Sequence, residues 1–416
     1  MKDWQNESSR MGDVYAHGYC NIATAQSVQE SGFFVTRNPL AIKPLFVETT
    51  ENWSHSSTPT KMKKYVIHRA FNEWKDDIEN AMLNQRAWVF QERAMSPRTL
   101  YFGRNQIYWE CSSSRASEAW PSLRLLLTGL KYVYHSNIET MKENLEDADI
   151  RLHWWSELVR TYSKTRITVE TDRLIALAGM AKSLGLGLGL GMEQLYLAGL
   201  WRKDLMLQLL WSIGHSSKRF GIRPERYIAP TWSWASVRGE IWWLNLDPIF
   251  YFATLVDAKV TPITSDIFGQ ITSGFIKIRG PLVKGLILNA PALRDHLPDF
   301  SLDQLVEADF DTLEYIDLKE IYCLPIIAKS GYASRLQRLR MAPKPTLTNN
   351  VNIHGLMLVP TGRIASEFKR CGKFLCFGKK TILFRKALKR FGESAETSGL
   401  PFEEREKGNE FIVTII

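Results

Sequence analysis

The stretch Asn84–Cys111 constrains this chain more than any other. It reads NQRAWVFQERAMSPRTLYFGRNQIYWEC, and two local patterns meet in it. Arg86 to Ala94 has helical spacing, which puts Trp88 and Glu92 four residues apart on one face. Ser96-Pro97-Arg98 then breaks the helix, because a proline disfavours helical geometry in the residue before it. Beyond the break, Thr99-Leu-Tyr-Phe102 and Gln106-Ile-Tyr-Trp-Glu-Cys111 are rich in aromatic and β-forming residues. Gly103-Arg104-Asn105 separates them, and a Gly/Asn turn between two such runs predicts a hairpin.

The flanking sequence divides into three parts. In the first, residues 1–115, Trp4, Met11, Val14 and Tyr15 approximate a helical stripe, and Tyr19-Cys-Asn-Ile-Ala23 reads as a short buried strand. The strand expected before such a helix in an α/β layer is missing. Residues 48–64 are polar and Ser/Thr-rich, the composition of a loop. The second part, residues 116–222, is mainly helical. Its stripes are Trp154/Trp155/Leu158/Val159/Tyr162, then Leu174/Leu177/Ala178/Ala181 opening near Thr171-Asp172, then Leu205/Leu209/Ile213. Gly185-Leu-Gly-Leu-Gly-Leu-Gly191 has Leu at position 190, so it fails the G-x-G-x-x-G pattern and reads as a loop. Each of its glycines weakens a helix by about 1 kcal/mol relative to Ala.

The third part, residues 223–416, is β-rich. Ala229-Pro-Thr-Trp-Ser-Trp-Ala235 alternates, which predicts a strand with Trp232 and Trp234 on one face. Phe275–Arg279, Ile321–Ile327, Gly355–Val359 and Phe411–Ile416 are further short strands, spaced as in a sandwich or barrel-like module. The Trp232/Trp234 and Trp242/Trp243 cluster reads as β core rather than a sugar-stacking platform, because no Asp/Asn/Arg set lies beside it in sequence.

Composition narrows the function classes. The 416 residues are 45% hydrophobic and 23% charged, a globular balance that suits two or three domains. The N-terminus is polar, without an apolar leader. The cysteines, Cys20, Cys111, Cys323, Cys371 and Cys376, are few and scattered. Both features predict a cytoplasmic protein without a disulfide framework. The most apolar stretch, Leu174–Leu200, is interrupted by Lys182, Glu193 and Gln194, so it is not read as a membrane span.

No HExxH, paired CxxC, Walker A or G-x-S-x-G occurs, so no metal and no cofactor is assigned. The formal charge of +9 is concentrated in Arg363–Arg390, where ten Lys or Arg face one acid, Glu367. Acidic stretches flank that block, and no nucleic-acid-binding signature accompanies it. The block is therefore expected to be ordinary solvated surface rather than a nucleic-acid or membrane-surface site.

Glu92 is the candidate functional carboxylate. A Trp on the same helix face would desolvate it and raise its pKa, which suits general acid/base work or gripping a ribose hydroxyl. The plain alternative is an ion pair with Arg86, Arg93 or Arg98.

Several segments together resemble the fungal heterokaryon-incompatibility (HET) domain family. Trp4-x-x-Glu7-Ser8-x-x-Met11-x-x-Val14-Tyr15 with Asn21-Ile22-Ala23 is similar to the end of the family's second block. Arg86-Ala-Trp88-x-x-Gln91-Glu92, Ser96-Pro97-Arg98-Thr-Leu-x-Phe102 and Trp109-Glu110-Cys111 resemble its third. Asp172–Gly179, Ala198–Trp201 and Ala229–Ser236 are similar to the region that follows the domain. The resemblance implies a role in non-self recognition between fungal cells, ending in growth arrest or cell death. It also implies a TIR-like, flavodoxin-like α/β layer, followed here by the helical region and the β-rich module.

Some TIR domains cleave NAD with the Glu of a W-C-x-x-E motif. Trp88 to Glu92 keeps that spacing, with Val at position 89. On this resemblance Glu92 is catalytic, Trp88 and Arg86 shape the substrate pocket, and NAD is the substrate of a TIR-like NAD glycohydrolase. The family's first block and the W-I-D-x-L-C-I-x-Q strand are not in this sequence. The domain is therefore expected to be N-terminally incomplete, with part of the nucleotide pocket missing and an exposed sheet edge. A non-enzymatic module, acting through protein partners or self-association, and an inactive fragment are the alternatives.

Overall fold

The computed structural model describes residues 2–25, 33, 45–49, 63–67, 73–121, 130–143, 148–187, 196–214, 220–244, 248–286, 306–315, 320–330, 351–378, 380–394, 405–406 and 410–416. Helices and strands are mixed throughout them. The chain divides into two units, Met1–Glu143 with Thr165–Ile167, and Asn144–Lys164 with Thr168–Ile416. No helix among the described residues is long and apolar enough to cross a membrane.

The first unit opens with α1 (Lys2–His17) and β1 (Asn21–Thr24). β2 (Leu45–Thr49) and β3 (Lys63–Ile67) form an antiparallel pair, and residues 50–62 between them lie outside the described residues. α2 (Ala87–Met95) stops at Ser96, whose backbone is extended and whose hydroxyl donates to the Glu92 carbonyl at 2.7 Å. β4 (Arg98–Phe102), β5 (Ile107–Cys111) and β6 (Arg115–Ser117) follow. The helix, break and hairpin read between Arg86 and Cys111 are therefore all present.

These strands form a sheet in the order β1-β4-β5-β6. β1 runs parallel to β4, with Asn21 opposite Thr99 and Thr24 opposite Phe102; the other pairs are antiparallel. A parallel pair needs a crossover connection, and α2 lies in it. Under the sheet Trp74 meets Tyr101 and Tyr108 edge-on, at 6.1 and 5.6 Å, above buried Ile78. α3 (Leu130–Glu143) packs against α2.

In the second unit α4 (Ala148–Ser163) buries Trp155, Val159 and Tyr162. A 3-10 turn at Glu170–Asp172 leads towards α5 (Ile175–Gly187), which buries Leu177, Ala178 and Ala181. Gly185 and Gly187 lie inside this helix, where the sequence predicts a loop; burial of Leu184 and Gly185 offsets their poor helix propensity. Positions 188–191 of that predicted loop fall outside the described residues. β7 (Tyr196–Leu197) and β8 (Leu200–Trp201) pair through a tight turn with Ala198 and Gly199 at positive φ, 47° and 93°.

Two predicted elements differ. The stripe through Leu205, Leu209 and Ile213 is not one helix. α6 (Leu205–Gln208) is a single turn, and β9 (Ser212–Ile213) then pairs with β10 (Ile241–Trp242), with Ile213 opposite Ile241. Ala229–Ala235 is a compact turn rather than a strand. The Ser233 hydroxyl accepts from the Ala235 N–H at 3.0 Å and donates to the Ala198 carbonyl at 2.6 Å, and it caps a 3-10 helix over Trp234–Ser236. These bonds replace a strand ladder. Trp232 and Trp234 are fully buried, so no ligand can stack on them.

A ten-stranded sheet dominates the second unit. Its strands are β11 (Pro248–Tyr251), β12 (Thr254–Pro262), β13 (Ile271–Pro281), β14 (Val283–Leu286), β15 (Glu307–Phe310), β16 (Glu320–Ser330), β17 (Val351–Pro360), β18 (Glu367–Cys376), β19 (Arg405–Glu406) and β20 (Glu410–Ile415). The main path runs β11-β16-β17-β18-β20-β13-β12, and α7 (Lys380–Ser394) packs on β14, β17 and β18.

The basic block is not uniformly solvated surface. Arg370 on β18 is fully buried. It bonds Asp311 Oδ1 at 3.0 Å and the carbonyls of Leu209 and Trp211 at 2.9 and 2.6 Å, and it stacks 3.5 Å from the Trp211 ring.

Candidate functional site

α2 presents two chemically different faces. Trp88 and Glu92 lie one turn apart and meet α1, which packs against this helix. Trp88 is half-buried and makes an edge contact with the exposed Trp4, at 5.4 Å between ring centroids. Glu92 is half-buried, and its carboxylate accepts a hydrogen bond from the Tyr15 hydroxyl on α1. Burial raises the Glu92 carboxyl above the usual glutamate range; the Tyr15 bond and the nearby Arg86 charge oppose that rise without cancelling it. Burial, followed by the Glu92 charge, pushes the Tyr15 hydroxyl well above its ordinary value. Arg86 sits at the N-terminal cap position of α2 with extended backbone and an exposed side chain. The Ala87 N–H beside it is held by the Arg166 carbonyl at 2.9 Å.

The opposite face of α2 is anchored in the sheet. Thr99 and Tyr101 on β4, Tyr108 and Glu110 on β5, and Arg115 and Ser117 on β6 all point to the buried side. Glu110 collects five donors there. Arg93 approaches it in a fork, with Nε and Nη2 each at 3.1 Å. Arg115 donates through Nε at 3.2 Å and Nη2 at 2.9 Å, and the Tyr101 hydroxyl donates at 2.8 Å. Burial pushes the Glu110 carboxyl up, but Arg93, Arg115 and Lys131 together outweigh it and hold the group at about 2. This is a fully ionised buried carboxylate between two guanidiniums. It fixes α2, and with it Glu92, over the sheet.

Two reactive groups flank the anchor. Lys131 on α3 is fully buried and donates to the Ser96 carbonyl at 2.5 Å and to Thr99 Oγ1 at 2.8 Å. Burial lowers its ammonium to about 8, against the pull of Glu110. Cys111 ends β5 and is half-buried. Burial raises its thiol, but the hydroxyls of Ser113 and Ser114, at 3.5 and 3.2 Å, and bonds from their backbones outweigh burial and bring it to about 7.

The structure thus places Glu92, Trp88 and Arg86 together on or beside α2. Of the three arginines weighed as partners for Glu92, only Arg86 acts on it. Arg93 turns inward to Glu110, and Arg98 lies over the Tyr19 ring at 5.0 Å. Sequence reasoning missed Tyr15 as the group that bonds Glu92, although Tyr15 stood on the predicted α1 stripe. It also missed Glu110, whose signal is strand alternation: a glutamate in phase with the buried Tyr108 must find cations inside.

Residues 1–92 match the family model described as heterokaryon incompatibility protein (HET). No curated protein and no solved structure matches the chain. The match covers α1, β1 and α2 up to Glu92 itself. Over this N-terminal region, somewhat under a quarter of its length, the chain is similar to the heterokaryon incompatibility family.

Proposed function

We propose that this protein acts in heterokaryon incompatibility and that its N-terminal unit cleaves NAD, with Glu92 as the working carboxylate. One observation carries the reading. Within the matched region, Glu92 is a half-buried carboxylate held by Tyr15, set one turn from Trp88 and near the Arg86 charge. In this reading Glu92 grips the ribose hydroxyls of NAD, Trp88 gives the ring an apolar wall, and Arg86 attracts the diphosphate. The bond between nicotinamide and ribose C1′ breaks, and nicotinamide leaves with the electron pair. Water adds its oxygen to C1′ and gives its proton to the carboxylate or solvent. The parallel β1–β4 pair with α2 in its crossover supports a TIR-like α/β layer, from which the antiparallel β4-β5-β6 meander departs. The outcome would be non-self recognition ending in growth arrest or cell death.

The test is nicotinamide release by the purified protein and by its Glu92→Ala variant. Release that disappears in the variant supports the reading, and equal release overturns it.

A second reading has its own observation. β1 is the outer strand of its sheet among the described residues, with Ile22 58% and Tyr19 83% exposed. An open edge of this kind can pair with a protein partner or a second copy. Growth arrest on induced expression that persists in Glu92→Ala and is lost in Ile22→Lys would favour this reading.

A further inference from the structure

We propose that the outward face of α7 docks this protein onto an anionic lipid surface. The helix divides cleanly. Phe384, Ala387 and Leu388 are buried against the sheet, with Phe384 and Phe374 at 5.3 Å between centroids. Arg385, Lys386, Lys389 and Arg390 are all exposed, and the helix carries five Lys or Arg against one acidic residue, Glu393. The fold therefore separates the block Arg363–Arg390 into a buried structural part around Arg370 and a displayed cationic part on α7.

Charge alone would suit any polyanion. The apolar side chains decide between lipid and nucleic acid. Ile382 and Leu383 are 38% and 46% exposed in the first turns of α7, and Phe377 is 39% exposed just before it. On a helix with 100° between residues, Ile382 lies between Arg385, Lys386 and Lys389 on the exposed arc, with Leu383 beside Arg390. An aqueous phosphate backbone gives these aliphatic groups nothing to bury. A bilayer interface receives both, with cations at the headgroups and Ile382, Leu383 and Phe377 at the acyl boundary.

The experiment is co-sedimentation of the full chain with phosphatidylcholine vesicles, with and without phosphatidylserine, and a parallel titration with a short DNA duplex. The expected result is binding to phosphatidylserine vesicles that weakens as salt rises, little binding to phosphatidylcholine alone, and weaker binding to DNA. Neutralising Lys386 and Lys389 with Gln lowers lipid partitioning roughly thirtyfold. Ile382→Ser with Leu383→Ser lowers it roughly tenfold at unchanged charge. Melting of each variant is followed alongside, and partitioning is compared at a temperature where wild type and variants are all folded. Binding that ignores phosphatidylserine, that survives both substitutions, or that prefers the DNA duplex would overturn the proposal.

Discussion

Glu92 and Arg93 are adjacent on α2 and direct their charges to opposite sides of the helix. Arg93 turns inward and forks onto Glu110, with two contacts of 3.1 Å, while Glu92 turns to the Tyr15 hydroxyl on α1. A neighbouring pair that neutralised itself would leave neither group for other work. Here the arginine fixes the helix to the sheet, and the glutamate keeps a raised, half-buried carboxyl near the surface.

The anchor should dominate the stability of the first unit. Glu110→Ala leaves Arg93 and Arg115 buried without their shared carboxylate, and should cost about 3–5 kcal/mol in chemical denaturation. The pH dependence follows from the depressed carboxyl. Its contribution is present above the ordinary glutamate value of 4.5 and is lost as pH falls through about 2. Acid titration of the wild type followed by circular dichroism should show this loss. A Glu110→Gln variant should already be weakened at neutral pH and should lack that step.

Glu92 has the opposite sign. Its folded-state carboxyl is raised by burial, so its contribution is present below 4.5 and is lost as pH rises through the higher folded value. Glu92→Gln stays neutral and keeps an acceptor for Tyr15. The melting temperature of this variant relative to wild type should therefore rise from acidic to neutral pH. A group whose replacement stabilises the fold is one that the fold alone does not explain.

Cys111 should be the first cysteine to react with iodoacetamide, with half-maximal rate near pH 7. Cys323, Cys371 and Cys376 are buried, and burial pushes their thiols up, so they should label only after unfolding. Ser114→Ala removes the closer hydroxyl and should move the Cys111 midpoint towards the ordinary 9.0. Peptide mapping by mass spectrometry reads both outcomes.

The local patterns were legible where one element carries its own signal. Trp88 and Glu92 on one helix face, the break at Ser96, and the hairpin around Gly103 all follow from spacing and turn chemistry. What was not legible depends on partners remote in sequence. The Tyr15–Glu92 bond needs α1 laid against α2, and the Glu110 cluster needs Arg93 from a helix and Arg115 from another strand. The alternation of Ala229–Ala235 misled because Ser233 satisfies the backbone locally and lets both indoles turn inward. Likewise the even cationic run from Arg363 to Arg390 gave no sign that Arg370 would be buried on Asp311 while its neighbours on α7 face outward.

The most direct test of the central claim is nicotinamide release from NAD by the wild type and by Glu92→Gln, both folded as judged by melting. The account predicts release by the wild type, with the rate falling at least a hundredfold in the variant, a loss typical of a displaced acid/base or electrostatic group. Equal rates in the two proteins, or no release by either, would contradict it.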